Sequence, residues 1–197
     1  MSMNQNNYTE IFLEFWNGEI TRKGYLDKLY NSFGPFEVQK HEKDGFISKR
    51  RDWLTAREMP FLMNSVNHRT PCGCEVVFDI DLPSWLNHEE RLQILRMTVR
   101  RLKEHKIYPM AFDTGRGFHL HWMDNELRSL LAILGTKSVQ RIRDEYVSKI
   151  LKDVRSDMML VRTNHTIQLE GVKHWKRDAI VTLLNPETLA KTTAKQK

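Results

Sequence analysis

The run Glu75-Val76-Val77-Phe78-Asp79-Ile80-Asp81-Leu82 constrains this chain more than any other stretch. It is β-branched and aromatic, the composition that suits a pleated, half-buried strand. Pro83 closes it, because proline has no N–H to give to a ladder. Successive strand side chains point to opposite faces. Asp79 and Asp81 therefore share one face, while Phe78, Ile80 and Leu82 share the other and anchor the strand in a core.

The rest of the chain is organised around this strand. Apolar residues at Ile11, Phe12, Phe15, Trp16, Ile20, Leu26 and Leu29 predict two short amphipathic helices within 8–30, broken at Asn17-Gly18. Phe46 and Ile47 are short strand material leading into the basic run Lys49-Arg50-Arg51. Leu92, Leu95, Val99 and Leu102 predict a helix over 88–106. Strands are expected over 108–112 and 117–123, joined by the turn Asp113-Thr114-Gly115-Arg116. Two further helices are expected within 126–153, and short strands over 158–161, 166–169 and 179–184. With 197 residues, a single domain over 1–187 is expected, its first 55 or so residues helical and basic, followed by a flexible basic tail over 188–197.

Cys72 and Cys74 are too close in sequence for an easy disulfide and make only half of a four-ligand zinc site, which fits a reducing compartment. No window approaches the roughly 18 apolar residues of a membrane span, and residues 1–7 are polar, so a soluble intracellular protein without a membrane partner is expected. The formal net charge of +6 favours polyanionic partners.

Asp79 and Asp81 on one strand face form a platform for a divalent ion with a preference for hard oxygen ligands. Two such ions about 4 Å apart stabilise the attacking and leaving oxygens of a phosphoryl transfer. The stretch Thr114-Gly115-Arg116-Gly117-Phe118-His119 then offers backbone N–H groups, a hydroxyl, an arginine and a histidine, all suited to a triphosphate. Asp153 and Asp157 can each complete an acidic triad, and Leu160-Val161-Arg162 follows.

In this order the motifs resemble those of the archaeo-eukaryotic primase superfamily. The strand ending in Asp79-Ile80-Asp81 is similar to its first motif, Thr114 to His119 to its second, and Asp153 or Asp157 before Leu160-Val161-Arg162 to its third. Arg57-Glu58-Met59-Pro60-Phe61 also resembles a stretch upstream of the first motif in small primase subunits. The resemblance implies an α+β fold with an RNA-recognition or ferredoxin-like antiparallel sheet and helices on one face. It implies a DNA-dependent primase or primase-polymerase acting in replication, using (d)NTPs on a single-stranded DNA template, with a large primase subunit or a helicase as a further partner. Asp79, Asp81 and Asp153, with Asp157 as the alternative third ligand, would hold two Mg²⁺ or Mn²⁺ ions. Thr114, Arg116, Gly117, His119 and Arg162 would grip the triphosphate. Arg50, Arg51, Lys173 and Lys176 are candidates for template contact. The chain departs from the family in having Thr114 where serine is common, and in lacking a Cys/His zinc knuckle.

There are two alternatives, the first of which uses the same segment. His119-Leu120-His121 and Tyr146-Val147-Ser148-Lys149 resemble the metal-binding and nucleophile motifs of rolling-circle replication endonucleases. A non-catalytic module for single-stranded nucleic acid would draw on the basic balance and on Trp53, Trp85, Trp122 and Trp175 as stacking residues.

Overall fold

The computed structural model describes residues 3–34, 36–42, 45–50, 64–72, 74–115, 117–124, 126, 133–134, 141–142, 145, 148–150, 158–160, 166–173, 179–185 and 189, with backbone only at 3–4, 42, 45–50 and 158–160. The first two helices are α1 (Met3–Trp16) and α2 (Arg22–Phe33). The break between them falls at the expected place, where Gly18 takes a φ of 77° that other residues rarely adopt. Thr21 starts α2 by accepting a hydrogen bond from the Gly24 N–H at 3.2 Å, filling one of the orphan donors of the first turn. Tyr8, Ile11 and Phe12 of α1 and Tyr25, Leu26 and Leu29 of α2 recur at helical spacing and are all buried, so the two helices share one core.

Among the described residues the strands form two sheets. The smaller has the order β2 (Gly45–Arg50), β1 (Glu37–Glu42), β3 (His68–Arg69), β8 (Ile167–Gln168). The larger runs β7 (Met158–Leu160), β4 (Glu75–Ile80), β6 (Phe118–Met123), β5 (Met110–Asp113), β9 (Thr182–Leu183). Every described pairing is antiparallel, so the chain is α+β with antiparallel sheets, as the sequence led one to expect, although its strands divide between two sheets.

The period of two assigns the two faces of the larger sheet. Val76, Phe78 and Ile80 of β4 join Phe118, Leu120 and Trp122 of β6 and Ala111 of β5 on one face. That face is covered by α3 (His88–Glu104) through Leu92, Leu95, Val99 and Leu102. Asn87 begins α3 with a reciprocal cap, its side chain accepting from the Glu90 N–H while the Glu90 carboxylate accepts from the Asn87 N–H. On the opposite face Met110, Phe112 and Met123 pack into the α1–α2 core, with Phe12 edge-on to Phe112 at 5.0 Å. The expectation of helices on one face is therefore corrected: α3 lies on one side and α1 and α2 on the other. The reason is that β5 and β6 carry apolar side chains on both faces, and each set has to be removed from water. No helix among the described residues is long and apolar enough to cross a membrane.

One buried ion cluster joins these layers. Arg69 of β3 reaches Glu75 of β4 with two parallel bonds, Nη1 to Oε2 at 2.6 Å and Nη2 to Oε1 at 2.7 Å, and its Nη2 also donates to Glu170 Oε1 at 2.5 Å. Tyr8 of α1 donates to Glu75 Oε1 at 3.2 Å, Tyr25 of α2 to Glu170 Oε2 at 3.3 Å, and the Cys72 N–H to Glu75 Oε2 at 2.9 Å. The side chains of Arg69, Glu75 and Glu170 have no solvent exposure. Arg69→Met strands two buried carboxylates and is expected to cost about 3–5 kcal/mol in urea unfolding. The surface substitution Arg100→Met, at a side chain 81% exposed, should cost less than about 1 kcal/mol in the same assay.

Candidate functional site

The site is built at the end of β4. Asp79 stands directly opposite His119 on β6, and their side chains share the face turned toward α1. His119 Nε2 lies 3.5 Å from Asp79 Oδ1, longer than an ordinary hydrogen bond, so the contact is a loose one. Asp79 is half-buried, and Asp81, one step past the strand end, is exposed. The two carboxylates thus sit at a border between core and solvent, with hard oxygen donors that suit Mg²⁺ or Mn²⁺.

The turn from β5 to β6 is pressed against that border. A Cβ on Gly117 would lie 2.1 Å from the Ile80 carbonyl oxygen, so only glycine lets this backbone meet the end of β4. Three of the turn's N–H groups are spent internally: Thr114 N donates to the Gly117 carbonyl at 3.1 Å, Gly115 N to Asp113 Oδ1 at 2.7 Å and Gly117 N to Thr114 Oγ1 at 3.1 Å. Accepting that bond leaves the hydroxyl hydrogen of Thr114 to donate elsewhere. The close approach thereby gathers Asp79, Asp81, Thr114, Gly117 and His119 at one end of the sheet. Arg116, Asp153, Asp157, Arg162, Arg51, Lys176 and Tyr146 lie outside the described residues. Arg50 is placed by its backbone, opposite Glu37, and Lys173 is exposed and bridges to Ile180. Of the expected stacking residues, Trp85 is 79% exposed, Trp122 is buried against α3, and Trp53 and Trp175 lie outside the described residues.

Behind Asp79 and His119 the same face continues into the buried cluster. His121 Nδ1 lies 2.9 Å from Glu75 Oε1, 3.1 Å from Glu170 Oε1 and 3.1 Å from the Tyr8 hydroxyl. Carboxylates only accept, so Nδ1 carries a proton. Burial opposes a charge on His121, but the two carboxylates outweigh it and raise its pKa above the usual 6.5. As imidazolium, His121 brings the sum of Arg69, His121, Glu75 and Glu170 to zero. Burial, reinforced by the charge on His121, pushes the pKa of His119 down to about 3, so His119 is neutral near pH 7. Desolvation works against both carboxylates, but Arg69 and then His121 hold Glu170 at about 2 and Glu75 well below the usual range.

Glu75, His121 and Glu170 also offer ligand atoms within 4.8 Å of one another, a spacing that can hold a metal ion. Arg69 already supplies the positive charge that these carboxylates require, with Nη2 bonded to both. A cation there would have to displace it, so the trio reads as the charge-balanced base of the site. Arg69, Glu75 and Glu170 were not among the residues singled out from sequence. A signal existed for Glu75, which shares the strand face of Asp79 at a spacing of four, whereas nothing local pointed to Arg69 or Glu170.

No protein-family model matches this chain, and no curated protein matches it either. Among solved structures, the polymerase domain from Mycobacterium tuberculosis ligase D in complex with DNA aligns at a TM-score of 0.47 and 12% identity. The alignment covers 81% of this chain and 66% of that one, so this chain spans slightly under two thirds of its length.

Two outcomes follow from this geometry. Gly117→Ala is expected to destabilise the protein by about 1–3 kcal/mol, read as a lowered Tm, because the added methyl meets backbone. Stability should also peak slightly above pH 6 and fall on both sides. The raised pKa of His121 gives stability that is full below 6.5 and is lost as pH climbs through its folded value. The depressed pKa of His119 gives stability that is full above 6.5 and is lost as pH falls toward 3, with Glu75 and Glu170 adding to that loss below about 4.5. Urea midpoints measured from pH 4 to 9 check the shape, and a flat profile would contradict the charge assignment.

Proposed function

We propose that this chain is a nucleotidyltransferase of the primase or primase-polymerase type, acting on (d)NTPs and single-stranded DNA. The observation that carries the reading is the contact of Gly117 with Ile80, which packs a hydroxyl-bearing, glycine-rich turn against the backbone at the strand end that bears Asp79 and Asp81. Phosphate-binding groups and metal-type ligands thereby stand side by side, the arrangement that phosphoryl transfer requires.

Asp79 and Asp81, with Asp153 or Asp157 as a third carboxylate, would hold two Mg²⁺ or Mn²⁺ ions, whose charge lowers the pKa of a primer 3′-hydroxyl and offsets that of the phosphates. In this reading the 3′-oxygen forms a bond to the α-phosphorus, the bond to the bridging oxygen breaks, pyrophosphate leaves and the hydroxyl proton passes to solvent. Thr114 donates its free hydroxyl hydrogen to a phosphate oxygen. His119 stays neutral over the titration range of the substrate, and its loose contact with Asp79 lets a phosphate oxygen take an imidazole N–H. Arg116 and Arg162 are assigned to the same triphosphate. Arg50, Arg51, Lys173 and Lys176 are assigned to the template.

The endonuclease alternative would need His119 and His121 as equivalent metal ligands. Their surroundings differ, since His121 has no exposure and lies stacked against Tyr8, with Nδ1 against two carboxylates. That difference favours the transferase.

Asp79→Asn and Asp81→Asn should each lower incorporation of labelled nucleotides on single-stranded DNA with Mn²⁺ by about 10²-fold or more, with Tm changed little. Full activity in both variants would remove the assignment. A covalent protein–DNA adduct that Tyr146→Phe abolishes would replace the transferase with the endonuclease.

A further inference from the structure

The turn between α1 and α2 faces the segment leading from β8 to β9 across an open groove of about 440 Å³, a volume within the range of ligand sites. Phe15, Trp16, Ile20, Arg22, Gly171 and Ile180 line it. Gly171 has a φ of 70°, and a Cβ there would lie 3.0 Å from the Phe15 ring and 3.4 Å from the Trp16 ring, so both rings rest on bare backbone. Trp16 is 41% exposed and Ile180 51%, a costly display of apolar surface at one place.

A cation stands in this apolar setting. Arg22 donates from Nη1 to the carbonyls of Asn64 and Val66, both at 2.8 Å, and forms no ion pair with a carboxylate among the described residues. Its Nε and Nη2 have no acceptor among those residues either. The guanidinium is half-buried, and burial alone lowers its pKa. A partly desolvated guanidinium with spare donors calls for an anionic oxygen.

The groove also borders the candidate site. Ala179, the neighbour of Ile180, sits 2.9 Å from where a Cβ of Gly115 would be, so one residue separates the groove from the turn that carries Thr114. A base on Trp16 and a phosphate on Arg22 are the two halves of a nucleotide. One stack and one phosphate contact make a weak site for a free nucleotide, but a useful one within a strand whose other contacts raise its effective concentration.

We propose that this groove holds one nucleotide of the single-stranded DNA partner, its base stacked on the Trp16 ring and its phosphate paired with Arg22. The identity of the strand rests on the transferase reading; the groove's chemistry does not. Trp16 thereby serves both the packing of α1, where its ring lies 5.9 Å from that of Phe12, and the groove.

Fluorescence anisotropy of a fluorescein-labelled 12-mer of thymidylate, in EDTA so that no catalysis intervenes, tests the groove. Trp16→Ala should weaken binding about tenfold or more, the loss of one base stack, while Trp16→Phe keeps most of the affinity. Arg22→Met should reduce the slope of log affinity against log salt by about 0.7. Ile180→Glu, at an exposed side chain, places a negative charge in the groove without disturbing the core and should weaken binding even if Trp16→Ala lowers the Tm. Parent-like affinity in Trp16→Ala and Ile180→Glu, or displacement of the parent only by an acidic peptide, would overturn the inference, as would a parent that does not bind the oligonucleotide. If those variants bind normally while Asp79→Asn abolishes incorporation, the groove fails and the transferase stands. If they lose binding while the parent incorporates nothing, the transferase fails and the groove stands.

Discussion

A guanidinium sealed between two carboxylates is the constraint on which the other parts of this protein depend. Burying Arg69, Glu75 and Glu170 together is tolerable only with short, well-directed bonds and a near-zero sum of charge. The bonds come from β3, β4, α1, α2 and the segment after β8, so the ion cluster can form only when both sheets and both N-terminal helices are in place. Cooperativity between the layers follows, because no layer can leave without exposing the charge of another to an apolar surround.

The charge balance also reaches the candidate site. Two carboxylates against one guanidinium leave a deficit, which a proton on His121 fills. Burial, reinforced by the charge on His121 whose ring lies 5.8 Å away, keeps the imidazole of His119 neutral. A run of polar side chains thus leads along one face of the sheet, from the sealed cluster through His119 to Asp79 at the border and Asp81 in solvent. Along β4 and β6 the opposite face is apolar and is spent on α3. Along these two strands the sheet therefore separates an apolar face from one that bears titratable side chains.

The described residues 170–171 and 179–183 tie these features together. Glu170 belongs to the ion cluster, Gly171 lies under the rings of Phe15 and Trp16, Ala179 meets Gly115, and Thr182 and Leu183 extend the larger sheet beside β5. These residues thus serve the buried base, the groove and the turn from β5 to β6 at once. Displacement of these residues would be felt at all three.

Periodicity made much of the fold readable in advance. The β4 run showed its two faces, the spacing of Leu92, Leu95, Val99 and Leu102 showed the helix that covers one of them, and Asn17-Gly18 marked the break between α1 and α2, because these patterns depend on neighbours within a few residues. The pairing of Asp79 with the Thr114–His119 stretch was likewise suggested by motif order. What stayed hidden involves partners far apart in the chain. Arg69 finds Glu170 across about a hundred residues, and neither has a local pattern that marks it as buried. The different fates of His119 and His121, identical in alternation, are set by which of them lies against Tyr8 and the carboxylates and which is buried without a carboxylate at ordinary hydrogen-bond distance. The second sheet, the covering of both faces and the groove over Gly171 are also products of long-range packing. A side chain's burial and charge state depend on everything packed around it, and local spacing carries no record of that.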